Sequence, residues 1–397
     1  MAYQNVGTPR FIVDWLQWWK SLGLLRGHDV YFADTISHST ESAAVDNLIG
    51  LDPTSQTIVN NIDFPDNNPG HGFNYRIFEE KQFPYHQINI VGLLGHNLAD
   101  FAQPISYYDG AIFTYSYQTE VSGDVWDSGY SYLTNDILIN CKPEGNQYIK
   151  PLYNGFSFRS ADGSSSSKNS ITGANSMLPN IRGINPDISN IGFKLGSLLL
   201  GRYYELPHSP ELNLSMTNEM DGLSSIRTKG GTDLIDTRYL GSPSWGDLPP
   251  WCLSNHIDNQ ENKFSRVGRR VWNLNFNHFF DNDLFPEILS STNYGAFQPS
   301  GTTDAGIEYN EGAPYLNSQL TGSPINYAFL NAAGNRNFYS EVIHKTNGGA
   351  LPFIFQPDSN NNNPDQFAIC RLDMKSFVFD QVANGVYNVK LKIREVW

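Results

Sequence analysis

Cysteine is nearly missing from this chain. Cys141, Cys252 and Cys370 are the only three in 397 residues, and no two of them form a CxxC pair. That spacing supports neither a zinc ribbon nor a CxxC redox centre, and an odd, sparse count fits folding in a reducing cytoplasm. Charge is scarce as well. Asp, Glu, Lys and Arg make up 17% of residues, below the usual figure of about a quarter. Cations are the scarcer sign, 26 against 40 acids, for a net charge of −14. A chain this acidic is repelled by nucleic-acid phosphate, so no nucleic-acid partner is expected. No apolar run is long enough to span a bilayer, so no membrane partner is expected either. The first residues do not read as a secretory signal, because Asp14, Gln17 and Lys20 interrupt the apolar stretch after Arg10.

Catalytic motifs are also lacking. The sequence has no P-loop, no HExxH, no GxSxG elbow and no dinucleotide fingerprint; Gly70-His71-Gly72 lacks the third glycine. Nine histidines are scattered. His96, next to Asn97, could serve as a base or a metal ligand, but bonding to turn backbone is the favoured reading. His208 lies between prolines and reads as a loop residue. Glu79 and Glu80 would point to opposite faces of a strand and cannot share a substrate. Asp281, Asp283 and Glu287 read as helix N-terminal charge. Two Asn/Asp-rich loops, Asp63–Asn68 and Asp358–Asp365, offer oxygens of the kind calcium takes but lack EF-hand spacing. No catalytic residue, metal ligand or cofactor is therefore assigned, and the ligand-binding residues stay unknown.

What the chain has in quantity is Gly, Pro and aromatics: 34 Gly, 22 Pro, 21 Tyr and 24 Phe favour many short strands and turns. The expected fold is mostly β: two β-sandwich or jelly-roll domains, a short N-terminal helix and long polar loops. The helix is expected over residues 9–22, with Thr8 as cap, Pro9 in the first turn, and Phe11, Trp15, Trp18, Trp19 and Leu22 as its apolar stripe. Ile88–Leu94 is almost continuously apolar and suits a strand buried on both faces. Pro207-His208-Ser209-Pro210 makes a rigid break. The expected division is an arm over 1–28, a jelly-roll over 29–206 and a second sandwich over 207–397.

Asp162–Ser176 and Asn360–Asn363 read as exposed loops. Gly230-Gly231 and a Trp/Pro-rich loop over Pro243–Trp251 mark turns in the second half. In Arg269–Phe280, Trp272 breaks the alternation and leaves the buried face open. The last thirty residues are the most legible. Asn384-Gly385 is a turn, and after it Tyr387, Val389, Leu391 and Ile393 alternate with Asn388, Lys390, Lys392 and Arg394. The clusters Arg266/Arg269/Arg270 and Lys390/Lys392/Arg394 read as solvated faces or protein contacts. Trp126, Tyr130, Tyr132, Trp245 and Trp251 could stack on sugar, with core or interface packing the safer assignment.

Several segments carry a family likeness. INIVGLLGHNL (Ile88–Leu98), followed by Tyr108-Asp109-Gly110, resembles the jelly-roll, discoidin-like or carbohydrate-module-like domain of double-stranded DNA bacteriophage tail proteins. IGFKLGSLLLGRYYELPHSP (Ile191–Pro210) looks like them too. RRVWNLNFNHFF (Arg269–Phe280) is similar to ring-forming distal tail proteins, and Phe377–Trp397 to the closing strands of such proteins. The resemblance implies a non-enzymatic virion structural protein, made in the host cytoplasm and housed in the tail. It would form a homo-oligomeric ring, a hexamer by the family's symmetry, at or near the tail tip or baseplate. There it would join the tail tube to host-recognition proteins. The alternative reading is a glycan-binding module that attaches to host surface polysaccharide; a two-carboxylate hydrolase is the weakest of the three. Open sheet edges such as the C-terminal strand are expected to take strands from neighbouring copies.

Overall fold

A computed structural model describes residues 5–21, 28–32, 45–59, 72–78, 90–101, 104–105, 108–109, 112–119, 129–130, 137–142, 148–160, 174–182, 193–220, 224–236, 242–254, 268–285 and 337–397. The protein is mostly β, as expected.

One eleven-stranded antiparallel sheet organises it. Its strands, in chain order, are β1 (Arg10–Asp14), β2 (Ile90–His96), β3 (Leu138–Ile139), β4 (Gly155–Ser160) and β5 (Ser197–Glu205). Then come β6 (Ser215–Glu219), β7 (Arg269–Phe280), β8 (Phe353–Gln356), β9 (Ala368–Leu372), β10 (Phe379–Ala383) and β11 (Val386–Glu395). Across the sheet they run β3-β4-β2-β5-β1-β8-β9-β11-β7-β6, with β10 paired to β11. A separate seven-stranded sheet is built on Gly72–Phe78, Ile112–Thr119 and Ala174–Arg182.

Strands from both sides of Pro207 share the large sheet, because β1 pairs with β5 on one edge and β8 on the other. The break at Pro207 therefore does not separate one sheet from another.

The helix expected over 9–22 is a correction. Residues 10–14 form β1, and only Trp15–Ser21 is helical (α1). All five residues of β1 are buried. Phe11 and Val13 enter one core and Ile12 the other, which is strand alternation. The stripe at helical spacing is a buried strand followed by about two turns of helix. Two strand neighbours outbid the cap signals of Thr8 and Pro9.

The same alternation gives each face of the sheet its own core. Val91, Leu93, Leu198, Leu200, Phe353, Phe355, Trp272, Leu274 and Leu391 pack under α1 and the π-helical turn Tyr339–Ile343. Ile90, Leu94, Phe156, Phe158, Leu199, Ile354 and Ile369 pack with Trp245 and Trp251 on the opposite side. β2 is buried along its whole length, as its apolar run requires.

Close packing at the centre depends on Gly201. A Cβ there would sit 1.8 Å from the Val13 carbonyl oxygen. Gly201→Ala is expected to destabilise by about 1–3 kcal/mol, because β1 or β5 must move to accept the methyl. A urea midpoint unchanged from wild type would show that the strands have slack.

The C-terminal reading holds in detail. β9, β10 and β11 follow one another, and Gly385 sits at φ +67° in the turn before β11. Val389, Leu391 and Ile393 are buried while Lys390 is exposed. The chain end is held: the Val396 amide donates to the Ile369 carbonyl at 2.8 Å, and Arg269 lies over the Trp397 ring at 5.0 Å. β11 is not an open edge, however. It is flanked by β7 on one side and by β9 and β10 on the other. Among the described residues the open edges are β6, β3 and β10, which pairs with β11 alone.

β7 settles the face that Trp272 left open. Trp272, Leu274 and Phe276 form the dry side. A register shift then follows between Phe276 and Phe279, where His278 takes φ +63°. That bulge turns Phe279 back into the core and leaves Phe280 exposed.

Candidate interaction surface

The titratable groups singled out by sequence are locked into structure. His96 is buried, its Nε2 is 2.9 Å from the Ser157 hydroxyl, and its Nδ1 accepts from the Leu98 amide at 3.4 Å. Burial holds its pKa down to about 3, so the ring is neutral. The turn reading of His96 is the one the hydrogen bonds support. His208 stacks on Phe279 at 4.7 Å, with Nδ1 2.9 Å from the Ser209 carbonyl. The Asp283 carboxylate accepts the Phe280 amide at 3.2 Å at the start of a four-residue helix, Asp281–Leu284, which is the N-terminal role expected of it. Glu79, Glu80, Glu287 and the loop Asp63–Asn68 lie outside the described residues, as do Arg266, Trp126 and Tyr132.

In the second asparagine-rich loop the oxygens turn to local amides. Asp358 Oδ1 accepts from Asn360 N at 3.1 Å, and Asn361 Oδ1 from Asn363 N at 3.2 Å. Gln356 Nε2 donates to the Asn361 carbonyl at 2.9 Å and to Asn362 Oδ1 at 3.0 Å. Asx turns, not convergent ligands, explain the composition. Among the described residues no group of three His, Cys, Asp or Glu is placed to hold a metal ion.

The two basic clusters behave differently. Arg270, expected on a solvated face or at a protein contact, is buried within the chain against Glu395. Its Nε donates to Oε2 at 3.0 Å and its Nη2 to Oε1 at 2.9 Å. Lys392 and Arg394 do reach solvent, paired with Asp373 and Glu219.

Trp245 and Trp251 take the packed positions that were the safer assignment for them. They are 6% and 4% exposed and meet edge to face at 4.8 Å. They wall a small cavity with Leu51, Ile369, Val396 and Trp397. Its room of about 30 Å³ admits a water or two and not a sugar ring.

A third cluster was not anticipated. Lys345 Nζ sits 4.9 Å from the Trp15 ring and 3.9 Å from Glu341 Oε1, and Arg202 Nε is 3.4 Å from Glu341 Oε2. All three charges are buried. They come from β5, the π-helical turn and the turn that follows it, and no short motif could have joined them.

Asp14 ends β1 and caps α1, accepting the Leu16 amide at 3.1 Å and the Leu200 amide at 3.4 Å. Desolvation raises its pKa to about 7 in spite of those bonds. A carboxyl whose folded pKa lies above its unfolded value favours the fold fully below about pH 4, and that contribution is lost as pH rises through 7. The expected slope is about 1 kcal/mol per pH unit inside that window. Asp14→Asn keeps an oxygen for both amides and cannot ionise. Urea midpoints measured from pH 4 to 8 are expected to fall more steeply in wild type than in this variant; parallel curves would remove the argument.

The surface offers one feature that packing does not explain. Ser224–Arg227 and Asp233–Asp236 form a hairpin whose eight strand residues are all exposed. Its turn is closed by Thr228, whose amide donates to the Thr232 carbonyl at 2.8 Å and whose hydroxyl accepts the Thr232 amide at 3.1 Å. Register pairs Ile226 with Leu234 on one face, and Ile235 lies on the other. These three are 67%, 59% and 59% exposed. The hairpin follows directly on β6, the edge strand of the large sheet. Two short runs around Gly230-Gly231 were the available signal; polarity masked it.

A second exposed apolar group lies toward the other end of β7. Phe280, Val378 and Val382 are each more than half exposed. Lys390 stands exposed on the neighbouring strand.

No helix among the described residues is long and apolar enough to cross a membrane. Compared with family models, curated proteins and solved structures, the chain matches none of them.

Proposed function

We propose that this protein is a structural assembly component: a bacteriophage tail protein forming a ring at or near the tail tip or baseplate, with no bond made or broken. The observation that carries the reading is the exposed hairpin Ser224–Asp236. Leaving Ile226, Leu234 and Ile235 in water forgoes about 1–2 kcal/mol apiece of burial that a partner surface would recover. Exposed apolar side chains on both faces of one hairpin are what an assembly contact looks like before assembly. The tail assignment comes from the resemblance of Ile88–Leu98, Ile191–Pro210 and Arg269–Phe280, and the jelly-roll reading of residues 29–206 belongs to the same proposal.

Light scattering on the eluting peak from size exclusion tests the assembly role. The expected mass is a multiple of 44.6 kDa at micromolar protein. Mass spectrometry of purified virions tests the tail role, with the polypeptide expected at fixed stoichiometry. A monomer at every concentration, absent from virions, would end the proposal.

A further inference from the structure

We propose that the Asn384-Gly385 turn between β10 and β11 is a site of spontaneous covalent modification, where the Asn384 side-chain amide is lost as ammonia and the residue becomes aspartyl or isoaspartyl. This goes beyond the assembly reading and does not depend on it.

The step is internal to the turn. The Gly385 amide nitrogen attacks Asn384 Cγ, its proton passes to water, and Nδ2 takes up a proton and departs as ammonia. A five-membered succinimide remains. Water then opens one of its two carbonyl–nitrogen bonds. Opening at Cγ restores the main chain with an aspartyl side chain, and opening at the main-chain carbonyl leaves an isoaspartyl link. One water enters, one ammonia leaves, and nothing is oxidised or reduced. Attack within one turn needs no second molecule to be positioned, and a following glycine has no Cβ to obstruct it.

Environment picks Asn384 from the chain's three Asn-Gly pairs, all of which lie among the described residues. Asn154 is buried, its main-chain amide and carbonyl are bonded to Ser254, and its Oδ1 accepts the Ala99 amide at 2.9 Å. Asn347 is exposed, but its Nδ2 donates to the Ser21 hydroxyl at 3.0 Å, and the amide of Gly348 that would attack it donates to the Ile343 carbonyl at 2.8 Å. Those bonds must break before either ring can close. Asn384 is exposed, and among the described residues neither its side chain nor the Gly385 amide has a hydrogen-bond partner.

The change would reach a neighbouring element. The Gly385 carbonyl accepts the Asp281 amide at 3.1 Å, at the first residue of the helix Asp281–Leu284. An isoaspartyl link adds one carbon to the main chain just before Gly385. Either product adds one negative charge to the formal −14.

The test ages the full-length folded protein in mildly alkaline buffer beside the same protein unfolded in urea. Samples taken over time are digested, and aspartyl and isoaspartyl products are located by mass spectrometry with fragmentation. In the folded protein Asn384 is expected to convert several-fold faster than Asn347, with Asn154 unchanged. In urea the three rates are expected to converge. Ion exchange should show the aged protein as a more acidic form, and Asn384→Gln, which can close only a slower six-membered ring, should lose most of that shift. Asn384 left intact, or converting no faster than Asn347 in the folded protein, would overturn the proposal. An equal acidic shift in Asn384→Gln would overturn it too.

Discussion

Arg270→Met is expected to cost about 3–5 kcal/mol of stability, because it strands Glu395 as a buried charge. The pair is unusually well satisfied. Glu395 Oε2 takes the Arg270 backbone amide at 3.0 Å as well as the guanidinium. Arg270 in turn donates to the Asp365 carbonyl at 2.7 Å and the Phe367 carbonyl at 2.8 Å, and stacks over Trp272 at 5.1 Å. One guanidinium thus ties β7, β11 and the turn before β9 together. Glu395→Gln should cost less, since an amide can still accept one of these bonds. The double change Arg270→Met with Glu395→Leu should recover much of the loss, because no charge is then left without its partner. Chemical denaturation of the three variants checks this. If both single changes fall within about 0.5 kcal/mol of wild type, the pair is not desolvated as described.

The second large effect is expected at Trp15. Its ring is fully buried beside Trp18, and the cations of Lys345 and Arg202 lie 4.9 and 6.0 Å from its centre. Trp15→Ala removes a large core side chain and the aromatic face at which both cations sit. The cavity alone should cost about 3–5 kcal/mol. Trp15→Phe keeps a face and should lose markedly less. Equal losses for Ala and Phe would sink this account, since Phe retains both ring volume and an aromatic face that Ala lacks.

The legible parts of the sequence were those where a single period governs. β11 alternates because one of its faces is wet, and its turn is announced by Asn384-Gly385. β2 could be read because a strand buried on both faces has no polar positions. Residues 10–14 misled because Phe11, Trp15 and Trp18 satisfy helical spacing by accident of a strand running into a helix; nothing local reveals that β5 and β8 lie on either side. Arg270 reads from the sequence as part of a solvated face or a protein contact, since its acid lies 125 residues away. Trp245 and Trp251 sit in a Pro-rich loop, and a loop folded inward onto Phe156 and Phe367 has no periodic signature. The arm escaped notice because its apolar residues are outnumbered by Ser, Thr and Asp. The surface argued to carry assembly was thus the least visible, while much of the scaffold was plain.

The position of β1 has a consequence for how the molecule is made. Arg10 and its hydrogen-bond partner Gln356 are 346 residues apart, and β5 must lie down on the other side. An emerging polypeptide therefore carries Phe-Ile-Val with no mate until β5 is made, and with one edge open until β8 follows. Such distant pairing slows folding and leaves a sticky segment exposed to chaperones or to other nascent chains. Clipping residues 5–14 should then do more than trim an end; it should split the large sheet down its middle.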